Sequence, residues 1–293
     1  MGNSNSIINL GELSKPATVL IEKISDAVGG IYKPYQIKRI AKAEAEAEKI
    51  RALADIEIKD LQQRVLVRFI AEETKKQANM EAITAKSIND LKDDARPENI
   101  EDDWISNFFE KCRLISDREM QGLWAKVLAG EANNPGTYSK RTVNFISSID
   151  KSDANLLTSF CSHGRFLGNV VPLIYDVHDE IYTKNGITFN SLKHLDEIGL
   201  ISFEGLTGFR RTNLPEAIKI LYYGTPINIR FKNQENNDLD MGKILLSKVG
   251  QELAPISGSK PIPEFLDYVL EKWTKMGLIT FSDWPSKAFQ RPR

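Results

Sequence analysis

The chain has 293 residues, of which 41% are hydrophobic and 27% are charged, so it can bury the core of one large or two moderate domains. Its 39 basic and 40 acidic residues leave a formal net charge of -1, so the composition does not imply a general polyanion-binding surface. Contact with a nucleic acid would therefore need a local basic patch.

The cysteines and the apolar runs indicate the cellular setting. Cys112 and Cys161 stand apart in helical segments, a pattern that favours two buried thiols in a reducing environment over a disulfide or a metal site. No apolar run approaches the roughly 18 residues of a spanning helix, and the N-terminus lacks the features of a secretory signal. We expect a cytoplasmic protein and leave peripheral membrane association open.

Residues 1–35 predict a flexible start followed by a short amphipathic helix. Ser14 and Pro16 are typical of a helix start, and Gly29 of a helix end. An apolar stripe recurs at helical spacing and is a hypothetical docking surface for a membrane or a partner: Leu13, Leu20, Ile21, Ile24 and Val28. The alternative is that the stripe packs on the protein itself or on another copy.

Residues 36–95 predict a long helix that resembles a coiled coil. The stretch 38–91 contains neither Gly nor Pro, and as one helix it would be about 80 Å long. A seam at steps of three and four residues predicts oligomerisation through these positions: Ile40, Ala43, Ala47, Ile50, Ala54, Ile58 and Leu61. Val65 and Phe69 continue the seam with an extra four-residue step. Residues 65–70 are apolar on more than one face, so we expect protein to cover them and the back half of the helix to pack on the helical domain.

Residues 96–165 predict a bundle of short helices. Asp117 and Ser139 are suitable helix caps, and apolar residues follow each of them at helical spacing. Gly130 ends one helix, and Pro135-Gly136 is typical of a turn.

Residues 166–293 predict a winged-helix-like α+β domain. Within 187–203 a helix is followed by Gly199 and a strand, and residues 205–208 could form a wing turn. The alternating segment 227–232 predicts a half-buried strand, with residues 243–246 as its partner across a polar loop. A second helix–glycine–strand pattern ends at 281. The fold class is therefore mainly α with a smaller α+β part: a long N-terminal helix, a helical bundle and a winged-helix-like domain.

No segment of the sequence matches a catalytic or metal-binding pattern. His163, His178 and His194 have no partner at metal-ligand spacing, and phosphate loops and nucleophile motifs are missing from the sequence. The nearest acid/base cluster, at residues 178–180, is typical of a surface patch. We therefore expect no enzyme activity, no metal and no cofactor.

Nucleic-acid contact is a weaker hypothesis. It would involve Lys193 on the second predicted helix of the winged-helix-like domain, together with Arg210 and Arg211 in the wing. Asp196 and Glu197 on the same helix count against it, because a recognition helix normally presents cations or amides to the groove.

Three segments resemble a known family: residues 13–29 followed by 41–48, the Leu-Trp…Ala-Gly-Glu…Pro-Gly pattern within 123–136, and residues 249–253. Together they are similar to the uncharacterised bacterial family called domain of unknown function 2806, and the layout resembles the abortive-infection alpha proteins. The resemblance carries over no catalytic residue. It implies a role in defence against phage, with a second defence protein or a phage component as a partner.

We therefore expect a non-enzymatic phage-defence component that self-associates and binds a partner or a membrane. The alternatives are a winged-helix nucleic-acid-binding regulator and a peripheral-membrane scaffold.

Overall fold

The computed structural model describes residues 13–29, 60–164 and 170–282. The chain divides into two compact units, residues 1–148 and 149–293. The described part of the first unit is helical, whereas the second combines helices with short strands. The predicted class, mainly α with a smaller α+β part, is confirmed. The seam positions Ile40, Ala43, Ala47, Ile50, Ala54 and Ile58 lie outside the described residues.

Five α-helices and one 3-10 turn make up the described part of the first unit. They are α1 (Lys15–Val28), α2 (Asp60–Ile88), the turn Pro97–Asn99, α3 (Asp102–Cys112), α4 (Arg118–Asn133) and α5 (Lys140–Ile146). The predicted caps form, since the Asp117 carboxylate accepts the Glu119 and Met120 N–H groups and the Ser139 hydroxyl accepts the Thr142 N–H. Aromatic rings on α3 stack on one another and meet Trp124 of α4, which places the core between these helices.

Helix α1 packs on the first unit through its apolar stripe. Leu20, Ile21 and Ile24 are buried against α3 and the 3-10 turn, and Leu13 and Val28 are half-buried. An ion pair of 2.7 Å joins the Lys23 ammonium to the Asp102 carboxylate at the start of α3. In this structure the stripe contacts the protein itself, which is the alternative to membrane or partner docking.

The second unit contains five α-helices, one 3-10 turn (Ala254–Ile256) and seven strands within its described residues. The helices are α6 (Lys151–Cys161), α7 (Glu180–Thr183), α8 (Phe189–Glu197), α9 (Lys248–Leu253) and α10 (Pro263–Lys275). The strands are β1 (Ile201–Phe203), β2 (Phe209–Leu214), β3 (Ala217–Tyr222), β4 (Thr225–Arg230), β5 (Asn237–Gly242), β6 (Ile244–Leu246) and β7 (Ile279–Ser282).

Helix α6 belongs with the second unit, although the sequence analysis assigned it to the bundle of residues 96–165. The hydroxyl of Thr158 donates to the carbonyl of Ser257 at 2.7 Å, and that of Ser159 donates to the carbonyl of Asn185 at 2.5 Å. These long-range bonds join α6 to later parts of the chain. The helix pattern itself carries no signal of that attachment.

The strands pair differently from the sequence prediction. Strand β4 pairs with β3 and β7, whereas β6 pairs with β1 and β5 with β2, all antiparallel. The predicted pairing of 227–232 with 243–246 is therefore wrong. Strand β4 instead follows β3 through a two-residue turn at Tyr223-Gly224, where φ is 47° and 85°. Such a turn matches the twist of adjacent strands and closes the nearest hairpin.

The two predicted helix–glycine–strand segments have the same local structure. Gly199 and Gly277 follow α8 and α10 with φ of 84° and 80°. In each case the next residue donates its N–H five residues back, from Leu200 to Leu195 and from Leu278 to Trp273. This bonding is the Schellman ending of a helix, and it directs the chain into β1 and β7.

Candidate functional site

The N-terminal half of α2 carries a row of exposed apolar side chains. Leu61, Val65 and Phe69 are 63%, 50% and 59% exposed. Because they follow one another at four-residue steps, they lie on one side of the helix. We call these three residues the α2 stripe. Isolated apolar residues are normal on a surface, but an aligned row is typical of an interaction site.

The same side of α2 is buried in the C-terminal half of the helix. By helical period, Ile83 and Ser87 fall on the side of the α2 stripe, and both are completely buried. At Asn79 this side of the helix contacts the bundle, since the Asn79 side-chain amide donates to the carbonyl of Arg113 at 2.9 Å. Lys86 then donates to the carbonyl of Arg118 at the start of α4. One side of the helix thus forms core at one end and is exposed at the other.

Part of the sequence expectation for this helix is corrected. The back half packs on the helical domain as expected. Residues 65–70, however, are not covered by the described residues of their own chain: Val65, Val67 and Phe69 are exposed, and Leu66 and Ile70 are half-buried. The bond from Asn79 to the Arg113 carbonyl lies about 15 Å further along the helix than Phe69, beyond this exposed segment.

The cations proposed for nucleic-acid contact sit on separate elements. Lys193 on α8 forms a 3.3 Å ion pair with Asp196, and His194 Nε2 lies 2.7 Å from Asp153 Oδ1. Arg210 and Arg211 are exposed on β2. The exposed side of α8 therefore presents matched charges, which does not favour binding to a phosphate backbone.

Asp179, one of the two acidic residues of the 178–180 segment, is held in a tyrosine–lysine cluster. Asp179 precedes α7 and accepts the Tyr268 hydroxyl at 2.5 Å and the Lys272 ammonium at 3.4 Å. The same ammonium lies over the rings of Tyr175 and Tyr268, at 5.7 and 5.3 Å from their centroids. Burial raises the pKa of Tyr268, so this phenol is a hydrogen-bond donor rather than a base at neutral pH.

The cluster links the start of α7 to α10. Its members are about ninety residues apart along the chain. The sequence analysis missed Tyr268 and Lys272 for that reason, because only the tertiary fold brings them to Asp179. Among the described residues, no group of His, Cys, Asp and Glu is arranged to hold a metal ion.

His163 is buried between two backbone carbonyls. Its Nδ1 lies 3.0 Å from the Ser159 oxygen and its Nε2 lies 3.3 Å from the Ile181 oxygen. The imidazole also meets the rings of Tyr182 and Phe265. Desolvation lowers the pKa of His163, although the two carbonyls act in the opposite direction. A neutral imidazole can donate to only one of the two oxygens.

The Ala-Gly-Glu…Pro-Gly pattern forms a buried cluster in the first unit. The Glu131 carboxylate is 3% exposed and accepts the N–H groups of Gly136 and Tyr138 at 2.6 and 2.8 Å. A Cβ at Gly130 would come within 2.6 Å of the Tyr138 ring, so a glycine is needed there. The Trp104 indole donates to the Tyr138 carbonyl at 2.7 Å. The pattern that carries the family resemblance is therefore a structural support that anchors the turn after α4.

A polar cleft of about 410 Å³ lies beside this turn. Its lining residues are Asp94, Arg96, Asn99, Asn133, Asn134 and Pro135. The Asn133 amide already donates to the Asp90 carbonyl and accepts the Lys92 N–H. Asn133 therefore connects the end of α4 to the segment that follows α2.

None of the described helices combines the length and the apolar character that crossing a bilayer requires.

The chain was compared with known proteins in three ways. The family described as "Protein of unknown function (DUF2806)" matches residues 63–270. Searches of curated proteins and of solved structures returned no match. The matched segment begins inside α2, includes the Glu131 cluster and ends inside α10. Because it covers more than two thirds of the chain, this protein belongs to the DUF2806 family.

Proposed function

We propose that the protein is a non-enzymatic component of bacterial phage defence that acts by self-association through the α2 stripe. The observation that supports the proposal is the exposure of Leu61, Val65 and Phe69 on the helix side that is buried further along. A second copy of the chain offers the same apolar surface. The partner that the oligomer then engages is a second defence protein or a phage component.

The exposed area indicates how strong such an association can be. Complete burial of a Leu, Val or Phe side chain stabilises by about 1.5–3 kcal/mol, and each stripe residue is already partly covered. Two copies would therefore gain about 1 kcal/mol from each of six side chains, or roughly 6 kcal/mol. Association itself costs at least about 4 kcal/mol, so the stripe alone supports a weak pair. The predicted seam upstream would have to add the rest.

The defence role rests on the resemblance in layout to the abortive-infection alpha proteins. The proposed location is the cytoplasm, where the chain would meet phage components after infection. Self-association is a common way for a protein without chemistry of its own to respond to a trigger, because local concentration changes the occupancy of a weak interface.

Light scattering over a range of concentrations tests the self-association. The wild-type chain should exceed its monomer mass of 33.1 kDa at high concentration, and the double variant Val65→Lys/Phe69→Lys should not. The matched control is Gln63→Lys/Thr74→Lys, which adds the same charges on the exposed opposite side of α2. A wild-type protein that stays monomeric at high concentration would rule out the proposal.

A phage challenge of cells carrying the same variants tests the biological role. Wild-type and control genes should protect the culture, whereas the double variant should not. Equal protection by all three genes would show that the defence role does not depend on the α2 stripe. If none of the three protects the culture, the proposed defence role is wrong.

A further inference from the structure

The polar cleft beside the turn after α4 contains none of the residues of the α2 stripe. We propose that this cleft binds a small zwitterion, a free amino acid or a dipeptide. The ligand's carboxylate pairs with the Arg96 guanidinium, and its ammonium group pairs with the Asp94 carboxylate. This binding goes beyond the proposed self-association and does not require it.

Both walls of the cleft are held by hydrogen bonds of the protein itself. On one side, the Arg96 N–H donates to the Ala132 carbonyl at 2.8 Å, and the Asn133 side chain bonds the backbone of the segment after α2. On the other side, the Glu131 carboxylate accepts two N–H groups of the turn after α4. The walls are therefore in place before a ligand arrives, so little ordering of the backbone opposes binding.

The charged side chains of the lining are not engaged with the protein. Arg96 and Asp94 are two residues apart and line the same cleft, but they form no ion pair with each other or elsewhere in residues 13–29, 60–164 and 170–282. The Asn99 amide, also in the lining, has no hydrogen bond to those residues either. Opposite charges that do not bind each other leave both charges available to a ligand.

The surroundings of the cleft favour an ammonium group over a polyanion. Asn133 is the last residue of the 16-residue helix α4, and the carbonyl groups at such an end carry partial negative charge. The segment 89–99 also has more acidic than basic residues: Asp90, Asp93, Asp94 and Glu98 against Lys92 and Arg96. This negative potential disfavours a phosphate group, whereas one guanidinium suffices for a single carboxylate.

The size and the chemistry of the lining fit a zwitterion. The cleft volume of about 410 Å³ lies in the range of small-molecule sites. Arg96 can donate two parallel N–H bonds to a carboxylate, and the Asn99 amide supplies a further donor. Asp94 accepts N–H bonds from an ammonium group, as does the amide oxygen of Asn134, whose NH₂ donates to Thr137 Oγ1. The one cation and one anion of the lining match the zero net charge of a zwitterion.

Saturation-transfer NMR on the full-length chain tests the proposal with L-alanine and L-alanyl-L-alanine as probes. Because both charges of the cleft are exposed to water, we expect a Kd on the order of 1 mM. Arg96→Gln and Asp94→Asn should each weaken binding about tenfold, since each removes a charge-assisted hydrogen bond. The matched control is Asp93→Asn, an exposed acidic residue outside the lining, which should bind as the wild type does.

The two probes also show how far apart the cleft holds the charges. Binding of L-alanine would place Arg96 and Asp94 close enough for the two charged groups of a single residue. Binding of the dipeptide alone would show a wider separation and would assign the cleft to a peptide.

Blocked probes identify the outcomes that overturn the proposal. N-acetyl-L-alanine lacks the ammonium group and L-alaninamide lacks the carboxylate, so each should bind about tenfold more weakly than L-alanine. Equal binding of N-acetyl-L-alanine, or equal competition by inorganic phosphate, would make the cleft an anion site. The proposal is also wrong if neither zwitterion gives a signal or if both cleft variants bind as the wild type does. None of these results depends on the oligomeric state, so they leave the test of self-association separate.

Discussion

Substitution of Glu131 tests whether this side chain anchors the turn after α4. Its buried carboxylate accepts two backbone N–H groups of the turn after α4, from Gly136 and Tyr138. In Glu131→Gln the amide oxygen can accept only one of them without conflict, and the amide NH₂ faces the other. A buried N–H left without an acceptor costs about 1–3 kcal/mol, and the remaining bond loses its charge assistance.

We expect Glu131→Gln to lower the free energy of unfolding by about 2 kcal/mol. The loss is no larger because the neutral amide also avoids the desolvation cost of a buried carboxylate. For a unit of this size the loss lowers Tm by about 4–8 °C.

Guanidinium unfolding followed by tryptophan fluorescence measures the change, since Trp104 and Trp124 are buried in the same unit. Glu98→Gln, at an exposed position, is the control and should change stability by less than about 0.5 kcal/mol. A loss no greater than the control's would refute the role given to Glu131.

Three further predictions concern the second unit. Because the pKa of His163 is lowered in the folded protein, the folded state binds fewer protons than the unfolded state near this pKa. The free energy of unfolding should therefore fall as the pH drops below about 6.5. His163→Asn should reduce this pH dependence, measured as the difference between the denaturant midpoints at pH 7 and pH 5. A Cβ at Gly250 would lie 2.2 Å from the Leu200 carbonyl oxygen, so Gly250→Ala should destabilise by about 1–3 kcal/mol despite the better helix propensity of Ala, and a stabilised variant in thermal unfolding would contradict the packing. Tyr223 has a positive φ, and its hydroxyl donates to Ser259 Oγ at 2.8 Å. Tyr223→Asn should relieve the backbone strain of the turn but lose this hydrogen bond, giving a net loss of about 1 kcal/mol or less in the free energy of unfolding. Tyr223→Phe should show only the loss of the hydrogen bond.

Local features of the fold could be predicted because they depend on neighbours in sequence. The caps Asp117 and Ser139 satisfy N–H groups two or three residues away, and Gly199 and Gly277 end helices where the backbone needs positive φ. Alternation likewise identified β4 as a half-buried strand.

Partners distant in sequence could not be predicted in this way. The alternation in β4 shows that the strand has a buried face. It does not show whether β4 pairs with β3 and β7, as in the structure, or with the segment 243–246. The cluster of Asp179 with Tyr268 and Lys272 is invisible for the same reason, since its members meet only after the chain has folded.

The apolar stripes of α1 and α2 separate the two kinds of information most clearly. The amino-acid sequence by itself determined that each helix has an apolar side, because side chains three and four residues apart share a helix face. Only the tertiary structure decided that Leu20 and Ile24 lie in the core and that Leu61 and Phe69 do not. The reason is that burial depends on which neighbouring elements reach a helix: α3 and the 3-10 turn cover α1, whereas the described helices leave Leu61, Val65 and Phe69 of α2 exposed.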